Sequence, residues 1–108
     1  MENKSNFIKG FVEIITLYLL SKEDGYGMKL VNEIREKSDG KINLSVGTLY
    51  PTLYKLEEGG CITNYKKVVG KRKTMVYYHI TEVGEQKLNS LLNDYNSLIK
   101  CINAILDF

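Results

Sequence analysis

The spacing of apolar and polar residues divides the chain into helical segments and β-prone segments. Between Leu44 and Gly60, the residues Leu49, Leu53 and Leu56 recur at intervals of four and three, which places them on one stripe of a helix. The other positions of this segment carry hydroxyl groups, tyrosine rings and one lysine. Such a helix packs its leucines on a core and presents hydrogen-bonding groups on the opposite side.

The start of this helix has two alternatives because of a proline inside it. Ser45 is the predicted N-cap, and Gly59 and Gly60 are predicted to end the helix. With this start, Pro51 lies beyond the first turn and costs roughly 3 kcal/mol unless the helix bends there. If Pro51 is instead the first helical residue, Tyr50 is a poor cap and one leucine of the stripe is lost. We favour the early start with a local kink.

Two helices are predicted ahead of this segment. The first spans Phe7 to Leu20. Its apolar residues lie on nearly every side of the helix, which is typical of a helix buried on several sides. So small a monomer cannot easily bury all of these apolar residues. Burial against a partner subunit is the simplest explanation. After a turn at residues 21–25, a second helix is predicted from Tyr26 to Lys37, with an inward face formed by Met28, Leu30, Val31 and Ile34. The alternation in residues 41–44 predicts a short edge strand.

A β-hairpin and a long helix complete the predicted order of elements. The segments 61–69 and 75–80 are rich in β-branched and aromatic residues and predict two strands, with residues 70–73 at the tip. Thr81 is the predicted N-cap of a helix that continues almost to the end of the chain. Its apolar residues step by three and four through about two and a half heptads, which predicts pairing with another helix. Packing against its own domain is the alternative.

Charge is distributed unevenly along a chain of otherwise ordinary composition. The 108 residues suit one domain, and 44% are hydrophobic and 26% charged. Residues 59–81 contain no Asp or Glu but five basic residues, so the rest of the chain sums to −3 within a net charge of +2. A basic segment on a mildly acidic body is the asymmetry expected where one part contacts phosphate. A hairpin kept soluble by its lysines is the alternative.

Several classes of function find no support in the residue types. Cys61 and Cys101 are too few and too far apart for a disulfide framework or a zinc motif, and we expect free thiols in a reducing compartment. His79 has no partner at metal-ligand spacing, and no nucleophile–base pair or glycine-rich phosphate loop is present. The N-terminal residues lack a signal-peptide pattern, and no apolar segment is long enough to span a membrane. We therefore expect a cytoplasmic protein, not an enzyme, with no metal and no cofactor.

The order of predicted elements is the plan of a winged helix-turn-helix followed by a long helix. We expect a mainly α fold with a small β-hairpin, in which residues 1–80 form the DNA-binding domain and residues 81–108 a C-terminal dimerisation helix. In this motif the second helix enters the major groove, and the wing lies along the backbone or in the minor groove. The predicted contacts to duplex DNA are Ser45, Thr48, Tyr50, Pro51, Tyr54, Lys55, Lys71, Arg72 and Lys73.

Specific motifs make the chain resemble the PadR family of bacterial transcriptional regulators. They are Asp24-Gly25-Tyr26-Gly27, then Gly47-Thr48-Leu49-Tyr50-Pro51-Thr52-Leu53 with Leu56-Glu57 and Gly60, then Gly70-Lys71-Arg72-Lys73, and finally Tyr77-Tyr78-His79-Ile80-Thr81-Glu82-Val83-Gly84. The wing departs from the family pattern. Members often carry Arg-Pro-Arg or Arg-Arg followed at once by the tyrosines, whereas Thr74-Met75-Val76 intervene here. The single C-terminal helix resembles the small subfamily.

The resemblance implies a homodimer and a ligand-responsive repressor that binds an inverted-repeat operator. The last helix of each subunit would pack against the first and last helices of its mate, through Phe7, Phe11, Ile15, Leu88, Leu91, Leu92, Tyr95, Leu98, Ile99, Ile102, Ile105 and Leu106. Because some relatives bind phenolic acids or flat hydrophobic drugs, a small hydrophobic or aromatic effector is an expected partner. Tyr95 matches, by spacing, an aromatic residue of a relative's drug pocket, although a tyrosine on such a seam is more often core. A winged-helix protein-interaction module without nucleic-acid binding is the alternative function.

Overall fold

The structure, a computed structural model, describes residues 9–108, so the predicted interface residue Phe7 lies outside the described range. After a 3-10 turn at Lys9–Phe11 come helices α1 (Val12–Lys22), α2 (Gly27–Lys37) and α3 (Val46–Glu58), strands β1 (Ile62–Val69) and β2 (Lys73–Ile80), and helix α4 (Glu82–Leu106). The two strands pair antiparallel in a two-stranded sheet. The predicted fold class, mainly α with one hairpin and a long last helix, is confirmed.

Helix α3 begins at the earlier of the two predicted positions. The side chain of Ser45 accepts a hydrogen bond from the backbone N–H of Thr48 at 3.1 Å, which satisfies one unpaired donor of the first turn. The helix continues through Pro51 to Glu58, and its three-leucine stripe is at most 1% exposed. Gly60 follows with a φ of 75°, a left-handed conformation that suits glycine at the end of a helix. A local kink at Pro51 stays a prediction.

The core lies where α1, α2 and α3 meet the base of the hairpin and the first turns of α4. Its most deeply buried side chains are Leu17, Leu30, Leu49, Leu53, Leu56 and Ile62. Burying a side chain of this size is worth about 1.5–3 kcal/mol. This core therefore fixes the position of α3 relative to the hairpin.

Two predictions about the first half of the chain are wrong. Helix α1 ends at Lys22 and not at Leu20, since the N–H of Glu23 still bonds to the carbonyl of Leu19 at 3.3 Å. Its α-helical part begins at Val12 after the 3-10 turn. Met28 is 53% exposed and does not face inward, because it lies roughly 110° around the helix axis from the centre of the buried stripe of α2.

The predicted strands also need correction. Residues 41–44 form no strand, because the edge of β2 that a third strand would use is bonded to the turn before α2. Gly25 exchanges two backbone hydrogen bonds with Tyr78 there, at 3.2 and 2.7 Å. Strand β2 begins at Lys73, two residues earlier than predicted, and β1 begins at Ile62. The turn of the wing therefore consists of residues 70–72.

Helix α4 packs on the domain through its first half and projects beyond it. Thr81 caps the helix by accepting the N–H of Gly84 at 3.1 Å, as predicted, and its hydroxyl group donates to the carbonyl of Gly60 at 2.6 Å. Leu88 is buried, but several later apolar residues are exposed, with Leu98 at 50%, Ile102 at 38% and Ile105 at 82%. The second half of the seam is thus largely left uncovered by residues 9–108.

Candidate nucleic-acid interface

The first turn of α3 presents two hydroxyl groups in a fixed arrangement. The Oγ of Ser45 and the Oγ1 of Thr48 are hydrogen bonded at 2.9 Å, and both residues are exposed. The same serine oxygen accepts the backbone N–H of Thr48, so the N-cap also orients the threonine side chain. A hydroxyl group held in this way can donate to or accept from a base edge without first being ordered.

Pro51 and Tyr54 extend this exposed face along α3, and Tyr50 is exposed roughly 160° around the helix axis from Thr48. Tyr54 is 63% exposed and Tyr50 52% exposed, and Pro51 lies between them on the side away from the leucine stripe. The ring of Tyr50 lies beside the start of α2, since a Cβ atom placed on Gly27 would be 3.8 Å from its hydroxyl group. Tyrosines in these positions can reach phosphate oxygens or thymine methyl groups.

Lys55, another predicted DNA contact, already has an acidic partner within the protein. Its Nζ lies 3.3 Å from Oε2 of Glu13 on α1, and Nζ of Lys87 on α4 lies 3.0 Å from the other oxygen. Burial raises the pKa of Glu13, but the hydrogen bonds and charges of Lys87 and Lys55 outweigh it and hold the pKa below its ordinary value. Sequence reasoning missed this cluster, because three separate helices bring it together.

The wing carries its basic residues at the end of the hairpin. Lys71 and Arg72 lie in the turn, Lys73 begins β2, and all three are exposed. Gly70 opens the turn with a φ of 65°, a conformation that few other residues adopt readily. Within residues 9–108, the five salt bridges of the structure involve none of these three side chains. Their charges are therefore free to meet phosphate groups.

The base of the wing is tied to the turn between α1 and α2. Asp24 accepts a hydrogen bond from the hydroxyl group of Tyr65 at 2.7 Å, and its second oxygen lies 2.8 Å from Nδ1 of His79. Burial raises the pKa of Asp24, but the bonds from His79 and Tyr65 outweigh it and lower the pKa. His79 lies on the exposed face of β2, as predicted, but sequence reasoning did not find its carboxylate partner.

A side-chain bond and an aromatic cluster strengthen the same junction. The amide of Asn64 on β1 donates to the carboxylate of Glu57 on α3. The ring of Tyr77 stacks on that of Tyr65 at 5.6 Å and meets the ring of Tyr26 edge-on at 5.2 Å. These contacts hold α3, the start of α2 and the wing as one unit.

The predicted effector residue lies on α4 against the start of α1. Tyr95 is 39% exposed, and its ring meets that of Phe11 edge-on at 5.7 Å. An apolar groove of about 360 Å³ lies between α1, the end of α2 and α4, and Ile15, Tyr18 and Leu92 are among its lining residues. Tyr95 does not line this groove, and its role as a ligand contact stays a prediction.

The remaining observations concern metal-binding groups, the two cysteines and membrane-spanning helices. Among the described residues, no group of three or more His, Cys, Asp or Glu side chains is arranged to hold a metal ion. Cys61 is buried and Cys101 exposed, and neither is in a disulfide. Along residues 9–108, no helix combines the length and apolar character that crossing a bilayer requires.

Helices α1, α2 and α3, the last capped by Ser45, and the basic hairpin together define a winged helix-turn-helix. The family model of the PadR-like transcriptional regulators matches residues 16–90, and the chain belongs to this family. The predicted family is therefore confirmed.

Individual relatives agree with this assignment. A transcriptional regulator from Clostridium thermocellum is 32% identical and superposes with a TM-score of 0.84, over 93% of this chain and 94% of that one. The transcriptional regulator YqjI of Escherichia coli is 33% identical over 76% of this chain, which spans 38% of that protein. The structure of Bacillus subtilis PadR in complex with operator DNA is 26% identical, with a TM-score of 0.67 over 74% of this chain and 45% of that one.

Proposed function

We propose that this chain is a dimeric repressor that binds an inverted-repeat operator and responds to a small hydrophobic or aromatic ligand. The observation that carries the DNA-binding part is the combination of oriented hydroxyl groups on α3 with three basic side chains on the wing that form no salt bridge within residues 9–108. The relative from Bacillus subtilis, whose structure contains operator DNA, supports DNA binding by this chain. Acting on the chromosome implies a cytoplasmic location.

In this proposal the two parts of the surface have different tasks. Ser45 and Thr48 lie at the start of α3, where a recognition helix meets base edges, and Tyr50, Pro51 and Tyr54 lie further along it. Lys71, Arg72 and Lys73 neutralise phosphate charge, which contributes affinity but little sequence information. Lys55 lies on the same side of α3 as Thr48, but its ammonium group is bound to Glu13.

The wing is tested by replacing Lys71, Arg72 and Lys73 together with alanine. Each lost phosphate contact lowers the slope of log K against log salt by about 0.9, so binding to every sequence weakens and becomes less sensitive to salt. The matched control removes the same charge from Lys22, Lys37 and Lys100, which lie outside α3 and the wing. If the wing variant bound DNA with the affinity and slope of the wild type, the protein-interaction alternative would be favoured.

Sequence discrimination is tested at Thr48 with valine, which keeps the shape of the side chain and removes the hydroxyl group. A single base contact contributes about 1–3 kcal/mol of discrimination, so relaxed preference is expected at one base pair of each half-site. The salt slope should not change, because threonine carries no charge. Equal weakening for all operator variants would exclude a base contact by this residue.

Dimerisation is supported by the exposed apolar row of α4. Leu98 is 50% exposed, Leu106 57% and Ile105 82%, and an exposed row of this kind is typical of a helix that pairs with another subunit. A two-fold dimer would place two recognition helices on half-sites about 34–36 Å apart, which explains an inverted repeat. Sedimentation analysis should give a dimer, and Leu98→Asp should shift it to the monomer. A wild-type monomer at micromolar concentration would contradict this part.

A ligand response is supported by the continuity between the wing and α4. Strand β2 ends at Ile80, Thr81 caps the helix, and Tyr95 lies further along the same helix. A ligand that displaced α4 would therefore change the separation of the two recognition helices in a dimer. A planar aromatic probe should bind the wild type and not Tyr95→Ala. A distance between labels on the two α3 helices that stayed constant while DNA was released would refute the coupling.

A further inference from the structure

Glu13 joins the recognition helix to the long C-terminal helix through two ion pairs. Its carboxylate contacts Lys55 of α3 at 3.3 Å and Lys87 of α4 at 3.0 Å, and its side chain is 19% exposed. Lys55, by contrast, is 72% exposed. The carboxylate is therefore held inside a junction of three helices, whereas the lysine that reaches it remains largely in solvent.

The position of Lys55 on α3 gives it a second possible partner. Seven residues separate it from Thr48, so the two side chains leave the helix within about 20° of each other, roughly 10 Å apart along the axis. A helix lying in the major groove has phosphate groups along its flanks, and lysine has a flexible four-carbon stem that can follow either anion. Because Lys55 is 72% exposed, its ammonium group can reach a phosphate once the carboxylate charge of Glu13 is removed.

We propose that Glu13 positions Lys55 by competing with a DNA phosphate for its ammonium group, which lowers the affinity of the protein for DNA. The proposal rests on the DNA-binding function inferred above. Lys87 remains beside Glu13 when Lys55 leaves, so the carboxylate is not left without a cation. Because Lys87 belongs to α4, a displacement of that helix changes how firmly Glu13 holds Lys55.

The test is the salt dependence of operator binding by Glu13→Gln, which keeps the size of the side chain and removes its charge. Freeing Lys55 in both subunits adds two phosphate contacts per dimer, and the slope of log K against log salt becomes steeper by about 1.8. Between 50 and 200 mM salt, the affinity of the variant should fall about 12-fold more than that of the wild type. At low salt the variant should bind more tightly than the wild type.

Lys55→Ala provides a second test that does not depend on the folding of the Glu13 variant. In the otherwise wild-type protein it should leave the slope nearly unchanged, because Lys55 is held by Glu13. In the Glu13→Gln background it should remove the added slope completely. If Lys55→Ala alone lowered the slope by about 1.8, Lys55 would already contact DNA, and the proposal would be overturned.

A charge control separates a local effect from a general one. Glu33 on α2 pairs with Lys29 at 3.3 Å, and Glu33→Gln changes the net charge by the same amount as Glu13→Gln. Glu33→Gln should leave the slope of log K against log salt unchanged. If it steepened the slope as much as Glu13→Gln does, the effect would be due to net charge, and the proposal would be overturned. An unchanged slope in a folded Glu13→Gln variant overturns the proposal while leaving DNA binding intact. Absence of DNA binding by the wild type would instead refute the proposed function.

Discussion

Among the described glycines, Gly84 leaves the least room for a side chain, which yields a sharp prediction for Gly84→Ala. A Cβ atom on this residue would lie 2.1 Å from the carbonyl oxygen of Cys61 and 2.7 Å from the side chain of Ile80. The carbonyl oxygen is backbone and cannot rotate away as a side chain could. Helix α4 and the start of the hairpin must therefore separate by more than 1 Å to reach ordinary contact distance.

That separation acts on the bonds that attach α4 to the domain. The N–H of Thr81 donates to Cys61 at 2.9 Å, and its hydroxyl group donates to Gly60 at 2.6 Å. Each such bond contributes about 0.5–1.5 kcal/mol, and overpacking costs about 1–3 kcal/mol. Alanine recovers up to about 1 kcal/mol through its greater helix propensity. We expect a net loss of about 3 kcal/mol, or a fall in Tm of roughly 12–24 °C for a domain of this size.

The assay is urea denaturation followed by circular dichroism, with all variants at one protein concentration because a dimer's stability depends on it. Gly47→Ala is the matched control, since its new Cβ would have only Ser45 Oγ nearby, at an ordinary 3.8 Å. This control should be neutral or stabilising by up to about 1 kcal/mol. A Gly84→Ala protein as stable as the wild type, with the same m-value, would refute the packing argument.

Three further predictions address other elements. Ser45→Ala removes the N-cap of α3 and the bond that orients Thr48, so it should cost about 1 kcal/mol in urea denaturation and weaken operator binding as well; Ser45→Asp, which keeps a capping oxygen, should restore the stability. Leu53→Ala empties a fully buried position and should cost about 2–5 kcal/mol, whereas Tyr54→Ala on the exposed face should change stability by less than about 0.5 kcal/mol. Asp24→Asn should reduce the loss of stability in acid. The folded pKa of Asp24 is lowered, so its contribution is present above the unfolded value of about 3.9 and is lost as the pH falls through the folded pKa. Because this carboxylate is about one-third exposed, the difference should stay below about 1 kcal/mol, and identical acid unfolding of both proteins would show that the bonds to His79 and Tyr65 contribute nothing.

Elements that depend on neighbours along the chain could be predicted from the sequence. Ser45 and Thr81 cap helices through bonds to residues only three positions later, and the structure contains both caps. The leucine stripe of α3 depends on helical spacing alone, and it is buried as predicted. The motifs that resemble the PadR family are also local, and the family is confirmed. The division into domains and the individual DNA and dimer contacts stay predictions.

Elements that depend on distant partners could not be predicted. The residues 41–44 have the alternation of a strand, but Gly25 takes the free edge of β2 at Tyr78, and nothing in a local pattern shows that competition. The apolar character of Met28 predicts an inward position, whereas the stripe of α2 that packs on the core leaves this residue exposed. Both errors arise because packing between elements decides which of several locally acceptable positions is used.

The sequence by itself determined the order of helices and hairpin, the caps, the buried stripe of α3 and the basic turn of the wing. Each follows from spacing, residue type or charge within a few neighbouring positions. Only the tertiary structure decided that Lys55 and Lys87 share the carboxylate of Glu13, and that Asp24 binds the wing through His79. These groups are distant in the chain. They come together because the leucine core is buried, and hydrophobic burial does not depend on any one pair of charges.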